Sequence, residues 1–279
     1  MAIMRPLLFA VLLATLAPPA AKAQYAEGGA RVLGLGRAGV ALGAEAWGHA
    51  NPAAWAGLDR RRAAVQASQA FGLRELRLGA VSAAVPTRLG TLALHARTYG
   101  FSERRETRAV AGFARSVPLS VTRRLDVGLA VGVESAATEG FETETAVLLN
   151  VGVQGDVLPG LRAGLAGKNL LGLGLTDDAD LRLSAAAVPG VAAGVAYAPS
   201  DRALVVLDAD HDIDHGTSIR AGVEAVAVEA LALRVGVSTG PPRFAAGVGL
   251  RLGALRADLA VELHETLGAT PAVAVEATF

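Results

Sequence analysis

Three groups of residues in this chain have types and spacings suited to chemistry. Gly34, Gly36 and Gly39 stand as G-x-G-x-x-G, and Asp59 follows the last of them by 20 residues. With that fingerprint a strand–turn–helix unit seats a pyrophosphate on a helix N-terminus and a ribose on a carboxylate. Asp208, Asp210 and Asp212 alternate within DADHDIDHG (Asp208 to Gly216), a density of carboxylates in the manner of oxygen-rich calcium loops. His49, His95 and His264 offer imidazoles for proton transfer, but none stands with a serine and an acid in the pattern of a nucleophile elbow.

The elements around these residues decide which chemistry is available. A dinucleotide fingerprint needs a buried strand before its first glycine, and the opening of this chain supplies something else. Arg5, the apolar run Leu7 to Ala17 and the small-x-small site Ala21-Lys22-Ala23 read as a secretory signal peptide (residues 1–23) cleaved after Ala23. The ten residues that then lead to Gly34, QYAEGGARVL, hold no core strand, and no alternation of strands and helices follows. The aspartate run lacks the glycine and the distant glutamate that close a calcium loop, so it is expected to be an acidic, solvated outer loop at the end of a strand. The expectation is therefore no enzyme, no cofactor and no metal.

Composition narrows the class. Twenty-six Lys and Arg balance 26 Asp and Glu, which leaves no electrostatic footprint for a nucleic-acid partner. With no cysteine, an exported chain must rely on backbone pairing and packing. Hydrophobic residues make up 52% of the sequence, yet the longest uncharged stretch after the leader, Leu183 to Ser200, is broken by Pro189, Gly190 and Gly194. A hydrophobic exported chain without spanning helices can satisfy its backbone in lipid only as a closed barrel.

Alternation supports that reading. In ALRADLAVELHE, Leu255, Ala257, Leu259, Val261 and Leu263 share one face, and Arg256, Asp258, Ala260, Glu262 and His264 share the other. RFAAGVGLRLG and EALALRVGVST repeat the pattern, with Val248 and Val235 on the apolar side and Arg251 and Arg234 opposite. A soluble sandwich would fill its interior with bulky aromatics, and this chain has only 4% aromatic residues. Fourteen strands are expected in an antiparallel up-and-down barrel (residues 61–279): Arg61 to Gly72, Leu76 to Pro86, Thr91 to Phe101, Thr107 to Val117, Leu125 to Ser135, Phe141 to Val153, Leu161 to Leu171, Pro189 to Ala198, Ala203 to Asp212, Ser218 to Ala227, Ala230 to Ser238, Arg243 to Leu252, Leu255 to His264 and Thr270 to Phe279. The second and fourth alternate less cleanly, which leaves twelve as the alternative. Links after even strands read as short periplasmic turns, and links after odd strands as longer outer loops. The inward charges Arg220, Glu224, Arg234, Arg251, Arg256, Asp258 and Glu262 are expected to pair with one another in the lumen.

The segment from Gly28 to Leu58 then has a different home. Gly29, Ala30, Arg31, Gly34, Gly36 and Ala38, followed by Trp47, Asn51, Pro52 and Ala53, resemble the N-terminal signature of the PorV/PorQ family, relatives of the FadL-type (OmpP1-like) barrels. The resemblance continues through AGLAGKNLLG, GVAYAP and LRVGVSTG to the terminal Phe279. It implies a transmembrane β-barrel in the outer membrane of a Gram-negative bacterium. It also implies that Phe279 is the signal read by the barrel assembly machinery, and that residues 24–60 form a plug or periplasmic arm anchored by Trp47 and Trp55. The function implied is an interaction or docking component of type IX protein secretion, with outer-membrane lipid, secretion-system components or secreted cargo as partners. The alternative is a FadL-like passive transporter of a hydrophobic solute. The inward charges, structural first and permeation-controlling second, weigh against a capacious greasy pocket.

Overall fold

In a computed structural model, which describes residues 28–120, 124–171, 173–174, 188–214 and 216–279, the alternating segments become strands of one sheet. They are β1 (Arg62–Gln69), β2 (Arg77–Pro86), β3 (Thr91–Gly100), β4 (Arg104–Pro118), β5 (Arg124–Thr138), β6 (Glu144–Leu158), β7 (Leu161–Lys168), β8 (Gly190–Ser200), β9 (Ala203–Asp212), β10 (Gly216–Val228), β11 (Leu231–Ser238), β12 (Arg243–Leu252), β13 (Leu255–His264) and β14 (Gly268–Thr278). Each pairs antiparallel with its neighbours in sequence, and β1 pairs with β14 from Arg62↔Thr278 to Ser68↔Ala272, which closes the barrel. A two-residue piece, Leu173–Gly174, adds to β6 at Val147 and Ala146.

The count is fourteen rather than twelve. The less regular β2 and β4 are strands of 10 and 15 residues. β9, β12 and β13 begin and end where the alternation does. β4 and β5 overrun it at both ends, and β6 starts three residues late at Glu144 and overruns it to Leu158, because ladder pairing continues into the exposed rim, where no apolar face is required. The first strand stops short of its expected end at Gly72. There Phe71 and Gly72 take positive φ, 54° and 71°, in a 3₁₀ turn that leaves the ladder.

Links after even strands span two to five residues, and links after odd strands span three to twenty-one. The two ends of the barrel therefore differ: a short-turn end, where β1 begins and β14 finishes, and a loop end opposite. Leu94, Val235 and Leu259 point outward, 64%, 59% and 56% exposed, in an apolar band around the wall. Among the described residues no helix is long and apolar enough to cross a membrane. The expected leader (1–23), the start of the N-terminal segment, the loop Thr176 to Leu183 and His215 of the aspartate run lie outside the described residues.

Candidate functional site

The inner face of the wall is unusually bare, and Gly28 to Leu58 occupies the space this leaves. Gly128 and Gly152 face each other across β5–β6, Gly164 and Gly194 across β7–β8, and Gly222 and Gly236 across β10–β11. A Cβ on Gly236 would lie 2.1 Å from the nitrogen of Gly36, and one on Gly222 2.5 Å from the carbonyl oxygen of Leu35. Backbone meets backbone here, so no side chain can give way. The same contact explains the glycine fingerprint of the segment. Gly36 has φ +67°, and a Cβ on it would strike the nitrogen and oxygen of Val237 at 2.6 Å. Gly34 abuts the Cα of Gly247, with 3.3 Å for a hypothetical Cβ. Close approach to a barrel wall, not to a phosphate, accounts for Gly34 and Gly36, while Gly39 packs within the segment against Val32 and Ala50.

Two short elements shape the segment, the helix α1 (Gly29–Gly34) and a 3₁₀ turn, Pro52–Gly57. Asn51 caps the turn: its Oδ1 accepts from the amide of Ala53 at 3.0 Å, and Pro52 occupies the first helical position, where a missing N–H costs nothing. The Asn51 amide also donates to Val40 O at 2.8 Å and to Val153 O of β6 at 3.2 Å, so one side chain joins turn, segment and wall. Trp47 is buried among Leu33, Leu78, Ala80 and Tyr99, with its ring edge-on to His95 at 5.8 Å. Trp55 packs against Ala84, Ala93, Val110 and Ala130, and its Nε1 donates to Ala46 O at 3.1 Å. Gly29 donates to Gln66 Oε1 at 2.9 Å.

Ionic contacts join segment to wall. Arg31 pairs with Glu45 of its own segment and reaches Glu224 of β10 with two bonds, 2.8 and 2.6 Å. Arg37, a non-glycine residue at φ 68°, forms a two-pronged pair with Glu262 of β13, both bonds 2.7 Å. Asp208 of β9 accepts from the amides of Gly39 and Val40 at 2.6 and 2.9 Å.

Several expectations are corrected by this geometry. The wall charges do not pair only with one another. Arg234 bridges Glu224 (2.5 Å) and Asp258 (2.7 Å), and Arg256 also holds Asp258 (2.8 Å), but Glu224 and Glu262 turn to the segment as well. Arg220 pairs with Asp210 at 3.2 Å. Arg251 belongs to no such network. It is exposed at the short-turn end, because β12 there extends beyond the filled lumen. The aspartate run is not a solvated loop at its start: Asp208 and Asp210 lie on the inward face of β9, buried at 1% and 4% exposure, with Lys168 and Arg220 on Asp210. His264 accepts from the amides of Thr266 and Leu267, closing a turn.

Not singled out in the sequence were Arg37 and the buried group Arg97, Glu106, Arg108 and Glu134 on β3, β4 and β5. The available signal was parity, since all four of the last group fall on the face opposite Leu94. Phe279 lies just past β14, exposed, with its amide donating to Arg61 O at 3.0 Å beside the closing seam.

Two spaces border the segment. A cavity of about 10 Å³ lies between Gly28, Trp47 and Asn51. A vestibule of about 360 Å³ opens toward the short-turn end among Arg31, Leu42, Arg124, Asp156, Arg162 and Leu204. Among the described residues no group of three acidic or histidine side chains could hold a metal ion.

No family model and no curated protein matches this sequence. Solved structures do match in fold. A Pseudomonas aeruginosa FadL homologue superposes with a TM-score of 0.61 at 11% identity, over 93% of this chain and 99% of that one. The Pseudomonas putida toluene transporter TodX gives 0.62 at 10% identity, over 94% and 98%. The Ralstonia pickettii toluene transporter TbuX gives 0.58 at 11%, over 90% and 98%. The closed fourteen-stranded antiparallel barrel with its interior segment is thus similar, over nearly its whole length, to FadL-type outer-membrane barrels.

Proposed function

We propose that this protein is exported by its N-terminal leader, is inserted in the outer membrane of a Gram-negative bacterium through recognition of Phe279 by the barrel assembly machinery, and serves there as a plugged passive channel for a small hydrophobic solute. The observation that carries this reading is the way the lumen is closed. Gly28 to Leu58 fills it through hydrogen bonds, ion pairs and close packing with no covalent tie, so displacement of the segment can open a path. The apolar outer band suits a hydrocarbon surround, and transporters of toluene share the fold. A path that opens only when the plug shifts would keep ions and sugars out at rest.

A direct test measures uptake of radiolabelled toluene at limiting concentration in liposomes, against that of a hydrophilic sugar. The channel reading expects toluene flux above the protein-free rate and no sugar flux. Equal, background rates for both solutes would remove it.

A docking role in type IX secretion is the second reading, favoured by one feature: the segment fills the lumen with ion pairs and backbone-to-glycine contacts. Pull-down from detergent-solubilised outer membranes would recover secretion components or cargo under this reading and none under the first.

A further inference from the structure

We propose that the outward arginines Arg74, Arg77 and Arg105, at the loop end of β2–β4, form a site for the phosphates of a phosphorylated glycolipid in the outer leaflet. Leu78 and Glu106 are buried toward the lumen, so their exposed neighbours Arg77 and Arg105 face outward. Gly100 pairs with Arg105, and the β2–β3 register carried one step past Leu78↔Tyr99 sets Arg77 on the other side of Gly100. Two guanidinium stems thus flank a bare glycine, about 10 Å apart at ordinary strand spacing. Arg74 lies in the adjoining link, where its carbonyl accepts from Nε of Arg77 at 2.8 Å, tying the two residues together.

The rows beneath grade from polar to apolar along the outer wall. Gly79, Thr98 and Thr107 lie level with one another, then Val81, Ala96 and Ala109, then Ala83, Leu94 and Ala111. A cationic row, a hydroxyl row and an apolar patch follow the order of phosphate, sugar and acyl chain in such a lipid. Among the described residues none of the three arginines has a carboxylate within ion-pair distance. Arg104 is different, being held by Glu106 and Thr138 at 3.2 Å. Glu75 and Glu103 are exposed in the adjoining links, Glu103 accepting from the Ser102 hydroxyl at 2.5 Å, and elsewhere the exposed acidic residues of the described loop end are Glu139, Glu142 and Glu265. Arginine grips phosphate with paired N–H groups, so three guanidiniums without a carboxylate partner above an apolar wall select a phosphorylated amphiphile.

The proposal rests on the loop end facing outward in the outer membrane, and not on what crosses the lumen. The full-length folded protein in mixed micelles, its folding read by the heat-dependent gel shift, is titrated with bis-phosphorylated lipid A, dephosphorylated lipid A, phosphatidylglycerol and inorganic phosphate. Retention of lipid A alone is expected. Substituting Arg74→Gln, Arg77→Gln and Arg105→Gln together should weaken it by about ten- to a hundredfold, whereas Arg88→Gln with Arg202→Gln at the short-turn end should not. Undiminished binding by the folded triple variant would overturn the site. So would equal binding of the dephosphorylated lipid or of phosphatidylglycerol, or competition by inorganic phosphate; these arms need no variant. Toluene flux is read separately, so failure of the channel leaves this result interpretable.

Discussion

Single residues on the two faces of one strand report different things. Leu259 points to the outer band, and arginine there should destabilise the barrel by about 2 to 4 kcal/mol near a bilayer midplane, as urea titration of the folded protein would measure. Ala260 beside it is buried against Leu33 and Trp47. The filled lumen makes this inward position intolerant in another way. Ala260→Arg should leave the heat-dependent gel shift in place and expose residues 28–58 to protease. Gly236→Ala is a sharper probe, because the new Cβ would meet the nitrogen of Gly36 at 2.1 Å. Conductance in planar bilayers should rise for that variant and not for Gly79→Ala, whose Cβ would find its nearest neighbour, a methyl of Thr98, at 3.9 Å. Glu262→Gln leaves Arg37 and Arg243 buried without their full counter-charge. Removing one partner of a buried pair costs about 3 to 5 kcal/mol, so the unfolding midpoint of this variant should fall. An unmoved midpoint would mean that water reaches the pair.

At the scale of elements, the strands were legible and the segment was not. Period-two alternation is written into the chain wherever lipid lies on one side, which is why β9, β12 and β13 could be bounded to the residue. The segment follows no period. Its conformation is set by the wall it touches: Arg37 and Ala44 take positive φ only because Glu262 and the turn around Ala54 hold them there. Its glycine spacing imitates a nucleotide loop for the same reason such loops have it, close backbone approach, and only the partner differs. Three of its anchors on the wall, Asp208, Glu224 and Glu262, sit more than 160 residues away in sequence, where local reading sees only a carboxylate. Deleting Gly29 to Gly57 should leave a closed barrel, because β1–β14 pairing does not involve it, yet one destabilised because Glu224 and Glu262 lose Arg31 and Arg37 and keep Arg234 and Arg243. Adding Glu224→Gln and Glu262→Gln to that deletion should lower stability in urea further, since Arg234 and Arg243 then lose these carboxylates. Recovered stability would show that the carboxylates, not the arginines, are the uncompensated charges.

For the whole molecule, the outer band and the closed ladder predict fractionation with outer membranes and anomalous migration unless boiled; recovery in the soluble periplasm would contradict the membrane reading. The closing seam carries a temporal consequence. Ser68 meets Ala272, 204 positions later, so the ring cannot shut until the last strand exists. The segment stands immediately before the first strand, while its ionic partners Glu224 and Glu262 lie near the other end of the chain. It therefore waits without these ionic partners through most of synthesis and is enclosed at the final step, like a bolt set in place before the hoop is riveted. A chain truncated before Gly268 should leave Trp47 and Trp55 solvent-quenched, and adding β14 back should bury both at the moment the barrel closes.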